Sequence, residues 1–167
     1  MVQRYLTAEA GAICFRHFLI RSGYEDVMNP QEVRLNNKRF HYIVKSKNET
    51  FYCLFKHDFF YTFPDKYKEF FVKYPNLNSA GESINVDRLV YALNNNFTLI
   101  FIYENGYFYE IKPIEILKVN DLAKEFYPDG FIREQSKINN YIDNFSEVEF
   151  KERTISFPVK ALARKLN

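Results

Sequence analysis

The sequence predicts a single α+β domain: helices packed on a mainly antiparallel sheet built from two hairpins and a C-terminal strand. Three observations carry this reading. Several capped segments repeat apolar residues at helical spacing, two aromatic-rich runs alternate around tight turns, and helices and strands interleave along the chain. With 167 residues and 47% hydrophobic content, the chain fits one well-buried core, so residues 1–167 are read as one domain. Charged residues at 26% beside that apolar fraction argue against disorder.

Thr7 is placed to cap a helix over residues 8–22, with Glu9 in its positive first turn and Gly23 at its end. Ala8, Ala12, Phe15 and Leu19 form its apolar stripe, widened by Ile13, Phe18 and Ile20, and His17 is a core or boundary residue. Runs 39–46 and 49–56, separated by Lys47-Asn48, read as an antiparallel hairpin. Pairing Ser46 with Glu49 makes opposed positions sum to about 95. Alternation then puts Phe40, Tyr42, Val44, Phe51, Cys53 and Phe55 on an apolar face. The other face, with Arg39, His41, Lys45, Tyr52 and Lys56, is expected to be solvated, basic and aromatic.

Pro64 and Pro75 bracket a short helix over residues 65–74, and residues 76–83 read as a loop. Asn85 caps a helix of residues 86–95 with Val86, Leu89, Val90 and Leu93 in register. Asn105-Gly106 is a strong hairpin signal inside residues 101–112. Pro113 opens a helix to about residue 126, with Ile114, Leu117 and Leu122 expected on its buried side. Residues 127–146 are mixed and polar and predict no element. The C-terminal residues read as a strand into a terminal helix with Pro158 near its first turn and Val159, Leu162, Ala163 and Leu166 in register.

Two cysteines, Cys14 and Cys53, lack metal-ligand spacing and are read as small core residues in a reducing compartment. The N-terminal segment has no basic start followed by an apolar stretch, and no apolar run approaches the roughly 20 residues that cross a bilayer. The expectation is a protein without membrane contact, cytoplasmic, or in the host cytoplasm if viral. The 18 Phe and 13 Tyr, with abundant Lys, Asn and Ile, follow from A/T-rich codons, which fits an archaeon or one of its viruses.

A net charge of +2 is a weak global bias, so a nucleic-acid surface has to come from local clustering. Residues 34–56 supply it: Arg34, Lys38, Arg39, Lys45, Lys47 and Lys56 stand against Glu49 alone. Phosphates would be drawn to this face, and Tyr52 would stack on a base. Mg²⁺-dependent phosphodiester hydrolysis needs converging carboxylates and an activating lysine or water. Glu9, Glu82, Asp87, Glu104 and Glu110 are the candidate acids. Glu82 and Asp87 lead, one on a glycine-preceded loop and the other in a helix first turn, where an acid also serves the helix dipole. No Walker loop, GxGxxG, HExxH or nucleophile elbow is present.

An N-terminal helix bearing Glu9, followed by a sheet whose Asn-Gly hairpin runs into Glu110-Ile111-Lys112, resembles the PD-(D/E)xK nuclease superfamily. Size, composition and outline are also similar to the small DNA nucleases of filamentous viruses of acidophilic archaea. The resemblance implies DNA cleavage with one important glutamate, either Glu82 or Glu110, and Lys112 beside the latter. The hairpin departs from the superfamily pattern. A two-residue turn pairs Glu104 with Tyr107, which sets Glu110 opposite Phe101 and Lys112 opposite Leu99, where the superfamily has an Asp nearby on the same face.

The combined expectation is a nuclease-like DNA-binding protein and Mg²⁺-dependent endonuclease. Glu82 and Asp87 would hold the metal, Lys45 or Lys56 would touch the scissile phosphate, and Arg39, His41 and Tyr52 would line the DNA face. The competing expectation is a non-catalytic DNA-binding or host-protein interaction module with the same fold. The acidic segment 127–152 would either cover the basic sheet or make homodimer contacts.

Overall fold

Thr7 starts the first helix as its position predicts, its hydroxyl accepting from the Ala10 N–H at 3.1 Å. The computed structural model describes residues 7–35, 41–57, 60–142 and 146–167, apart from the side chains of 136–150. Helix α1 (Ala8–Arg21) ends before Gly23, whose φ of +90° favours glycine. Then come β1 (Gln31–Val33), β2 (His41–Lys45), β3 (Thr50–Lys56), β4 (Tyr61–Thr62), a 3₁₀ turn at Asp65–Tyr67 and α2 (Lys68–Lys73). They are followed by β5 (Ala80–Asn85), α3 (Val86–Asn94), β6 (Thr98–Tyr103), β7 (Phe108–Ile111) and α4 (Pro113–Ala123). The chain closes with β8 (Ile132–Ile142), β9 (Ser146–Pro158), α5 (Val159–Leu162) and β10 (Arg164–Lys165).

These strands make two sheets, and the α+β class holds. Among the described residues, one sheet has six strands in the order β1-β2-β3-β6-β7-β10, and the other has four in the order β4-β5-β9-β8. Every pairing is antiparallel except β3 with β6, which run parallel. Parallel neighbours need a long crossover, and here β4, α2, β5 and α3 lie between them in the chain.

The two hairpins of the larger sheet answer differently to their turns. In the first, Tyr42 opposes Cys53, Ile43 opposes Tyr52, Val44 opposes Phe51 and Lys45 opposes Thr50, the register that a two-residue Lys47-Asn48 turn dictates. In the second, Asn105-Gly106 sits inside a three-residue loop: Gly106 N–H donates to the Tyr103 carbonyl at 2.8 Å with φ +90°, and Tyr103 N–H donates to the Tyr107 carbonyl at 3.0 Å. That is the turn-plus-bulge alternative to a two-residue hairpin. The extra residue slips the register by one, so Glu110 faces Ile100 and Ile111 faces Leu99. A one-residue slip moves a side chain to the opposite face, which corrects the expected pairing of Glu110 with Phe101.

The larger sheet is a middle layer. On one side, Ala12, Phe15 and Leu19 of α1 pack on Tyr42, Val44, Phe51, Cys53, Ile100, Ile102 and Phe108. Gly11 allows the close approach, since a Cβ there would lie 2.9 Å from Ile102 Cγ2. On the other side, Tyr52, Leu54, Leu99, Phe101 and Ile111 meet Leu89 and Ala92 of α3, Ile116 and Val119 of α4, and Ile84, Ile155 and Phe157 of the second sheet. Each fully buried large side chain here contributes about 1.5–3 kcal/mol. The face of β2–β3 expected to be solvated is therefore covered, and Tyr52 is 0% exposed.

Other expectations are corrected by this packing. Residues 80–83 of the expected loop belong to strand β5, which pairs with β9 from Gly81↔Pro158 to Asn85↔Thr154. Ile13, Cys14, His17 and Ile20 lie on the exposed side of α1. Helix α4 buries Ile116, Val119, Asn120 and Ala123, leaving Ile114 exposed. The terminal helix is only α5, since Leu166 N–H donates to the Phe108 carbonyl at 2.9 Å and the chain extends as β10 along β7. Most of the segment without a predicted element becomes β8.

Candidate functional site

The parallel strands β3 and β6 end side by side at Lys56 and Tyr103, and β5 brings Glu82 against both. Lys56 Nζ donates to the Ser83 carbonyl at 2.6 Å and lies 3.5 Å from Glu82 Oε1. Tyr103 Oη donates to Glu82 Oε2 at 2.7 Å, and Ser83 N–H donates to Oε1 at 2.9 Å. Glu82 is 5% exposed, so these bonds replace water around a carboxylate that would be costly to bury unpaired. Burial first, and the Glu82 charge second, push the Tyr103 phenol far above its usual range. Tyr103 therefore stays a proton donor to Glu82.

The strand neighbours of Lys56 on this face are Tyr52 and Leu54 of β3, with His41 and Ile43 of β2. None of these four is an acid, so the carboxylate comes from the second sheet. Asn85 caps α3 through Oδ1, accepting from Asp87 N–H at 2.8 Å and Arg88 N–H at 3.3 Å, while its Nδ2 donates to buried Glu152 Oε1 at 2.5 Å. Asp87 itself is exposed in the first turn of α3 and lines a small hollow with Leu35, Val90, Tyr91 and Asn94.

Sequence reasoning grouped residues that the fold separates. Glu82 is turned to Lys56 and Tyr103, while Asp87 is exposed in the first turn of α3. Glu110 pairs with Arg164 of β10 at 3.2 Å. Glu104 pairs with His57, whose ring packs edge-on against Phe55 toward the α1 side. A Mg²⁺ ion takes several oxygen ligands in near-octahedral array. Among the described residues, no group of three or more His, Cys, Asp or Glu is arranged to hold a metal.

The expected DNA face is corrected as well. Tyr52 is fully buried, and His41 is 8% exposed with its ring 5.9 Å from that of Tyr52. Burial raises the Tyr52 phenol above its usual range, an effect partly offset by nearby Arg88. Tyr52 cannot receive a base, because it is sealed and packs edge-on against Tyr91 of α3 at 5.4 Å. Lys56 is 24% exposed and turned inward to Glu82. Lys45 is exposed, and Arg39 lies outside the described residues.

At the opposite end of the same sheet, four chain reversals surround a hollow of about 1120 Å³. They are the end of α1, the β2–β3 turn, the α3–β6 connection and the start of α4. At its floor Thr98 Oγ1 donates to Glu49 Oε1 at 3.2 Å, while Lys112 Nζ lies 2.9 Å from Thr98 Oγ1 and 3.4 Å from Glu49 Oε1. Lys47 closes one side on Glu25 at 3.1 Å. Tyr24, Asn48, Asn95, Asn96 and Phe97 are also in the lining. Of this set, sequence reasoning had named Lys112 beside Glu110, Lys47 and Glu49 in the basic segment 34–56, and Lys47-Asn48 as a turn. The rest reads as turn chemistry along the chain, and the available signal was the density of Asn and Lys in reversals that the hairpin pairing brings to one end.

No helix is long and apolar enough to cross a membrane among the described residues. Comparison with protein-family models, curated proteins and solved structures returns no match for this chain.

Proposed function

We propose that this chain is a DNA-binding protein that contacts nucleic acid at the hollow end of its larger sheet. The observation that carries the reading is the hollow itself, about 1120 Å³ in size, with Lys47 and Lys112 among its lining residues and exposed Lys45 two residues from Lys47. The start of α4 adds the positive end of an eleven-residue helix. Lys47 and Lys112 are held by Glu25 and Glu49 in pairs more than half exposed on the lysine side. Exposed pairs contribute only about 0–1 kcal/mol, so a phosphate competes readily for either lysine.

Fluorescence anisotropy with labelled DNA over a salt series tests this. Affinity should fall steeply as salt rises, because phosphate binding releases counterions. A Lys45→Ala, Lys47→Ala, Lys112→Ala triple variant should bind more weakly and with a shallower salt slope. No binding at low salt would remove the proposal in favour of a host-protein interaction module.

A second reading, Mg²⁺-dependent DNA endonuclease, is favoured by one observation: a carboxylate and a lysine, Glu82 and Lys56, share a site at the ends of the parallel strands. Linear duplex DNA incubated with the protein and Mg²⁺ would then be cut, Glu82→Gln would not cut, and Asp87→Ala would cut normally. Intact DNA with the unmodified protein ends this reading.

A further inference from the structure

We infer that the hollow receives an unpaired nucleotide, so that the protein prefers single-stranded or overhanging DNA to blunt duplex. This rests on the DNA-binding reading and deepens it. The shape comes first: a concave hollow of about 1120 Å³ exceeds the roughly 300–1,000 Å³ that holds a drug-sized ligand. It admits a splayed-out base with its sugar and phosphate, whereas the convex side of a duplex meets only the rim.

The chemistry fits the same ligand. Tyr24 is 36% exposed in the lining, and its ring is braced edge-on by Phe51 at 5.8 Å. That leaves a supported aromatic surface of the kind on which unpaired bases stack. Burial, then the Glu49 and Glu110 charges, raise the Tyr24 phenol, so the ring stays neutral.

Glu49 receives Thr98 and Lys112 on Oε1. Oε2 carries no hydrogen bond among the described residues and is available to the N–H groups of a base edge. The Asn48 and Asn96 amides, each donor and acceptor, lie in the same lining and suit base edges as well. Lys47 and Lys112 stand where the phosphates of that nucleotide would pass.

Three labelled DNAs distinguish the outcomes by anisotropy: a blunt duplex, the same duplex with a single-stranded overhang, and the single strand. The overhang and the single strand should bind roughly tenfold tighter than the blunt duplex, the scale of one stacked base. Tyr24→Ala and Glu49→Gln should each shrink the ratio of overhang or single-strand affinity to blunt-duplex affinity, and Tyr24→Phe should retain it. Equal affinity for all three DNAs, or a preference that survives both substitutions, overturns the inference and leaves DNA binding standing. Failure of all three to bind at low salt removes the DNA-binding reading as well.

Discussion

Two lysine–glutamate pairs sit at opposite ends of the six-stranded sheet, and their environments set them apart. Lys56 and Glu82 lie at the ends of β3 and β6, with Glu82 nearly sealed and its carboxylate satisfied by Tyr103 and the Ser83 N–H. Lys112 and Glu49 lie at the other end, with side chains 57% and 29% exposed, facing the hollow. A buried pair is costly to break, because the partner left behind keeps an uncompensated charge. An open pair gives up its partner cheaply, which makes it the one suited to exchange for a ligand.

The largest expected effect is therefore on the inner pair. Glu82→Ala should lower stability by about 3 kcal/mol, read from the midpoint of a urea melt, since it removes both the charge paired with Lys56 and the carboxylate that accepts from the Tyr103 hydroxyl. Tyr103→Phe should cost about 1–2 kcal/mol by leaving Glu82 Oε2 unsatisfied. If both melt like the parent protein, the inner pair is no more structural than the outer one.

Alkaline titration sharpens the same contrast. A tyrosine in the unfolded chain ionises near 10.0, whereas burial holds Tyr103 and Tyr52 protonated well above that in the fold. Above pH 10 the folded protein binds more protons than the unfolded chain. The stability from these phenols is thus complete below that pH and declines as pH climbs toward the folded values. Phenolate absorbance should show a late-titrating class of tyrosines that appears together with unfolding. Complete titration near pH 10 with the fold intact would contradict the burial described for Tyr103.

The smallest effect is expected at the outer pair. Lys112→Ala should change stability by less than about 1 kcal/mol while weakening DNA binding. A large loss of stability would show that Lys112 and Glu49 hold the two hairpins together rather than wait for a ligand.

Local chemistry made several elements legible in the sequence alone. Thr7 and Asn85 cap their helices as side-chain acceptors should, and the Lys47-Asn48 turn sets the register of the first hairpin. Each depends on residues within a few positions, where spacing and propensity act directly. Asn105-Gly106 was legible as a reversal but not as a register, because two-residue and three-residue loops both accept Asn-Gly.

The candidate site divides the same way. Sequence determined which residues could carry charge, Glu82, Lys56, Glu110 and Lys112 among them. Only the tertiary structure decided that Glu82 meets Lys56 across two sheets, that Glu110 turns to Arg164, that Tyr52 lies under α3 and that His41 is buried beside it. Alternation along β2–β3 separates two faces but does not say what covers each. A basic face of that kind is solvated in a two-layer protein and buried in a middle layer, and long-range packing alone chooses between them.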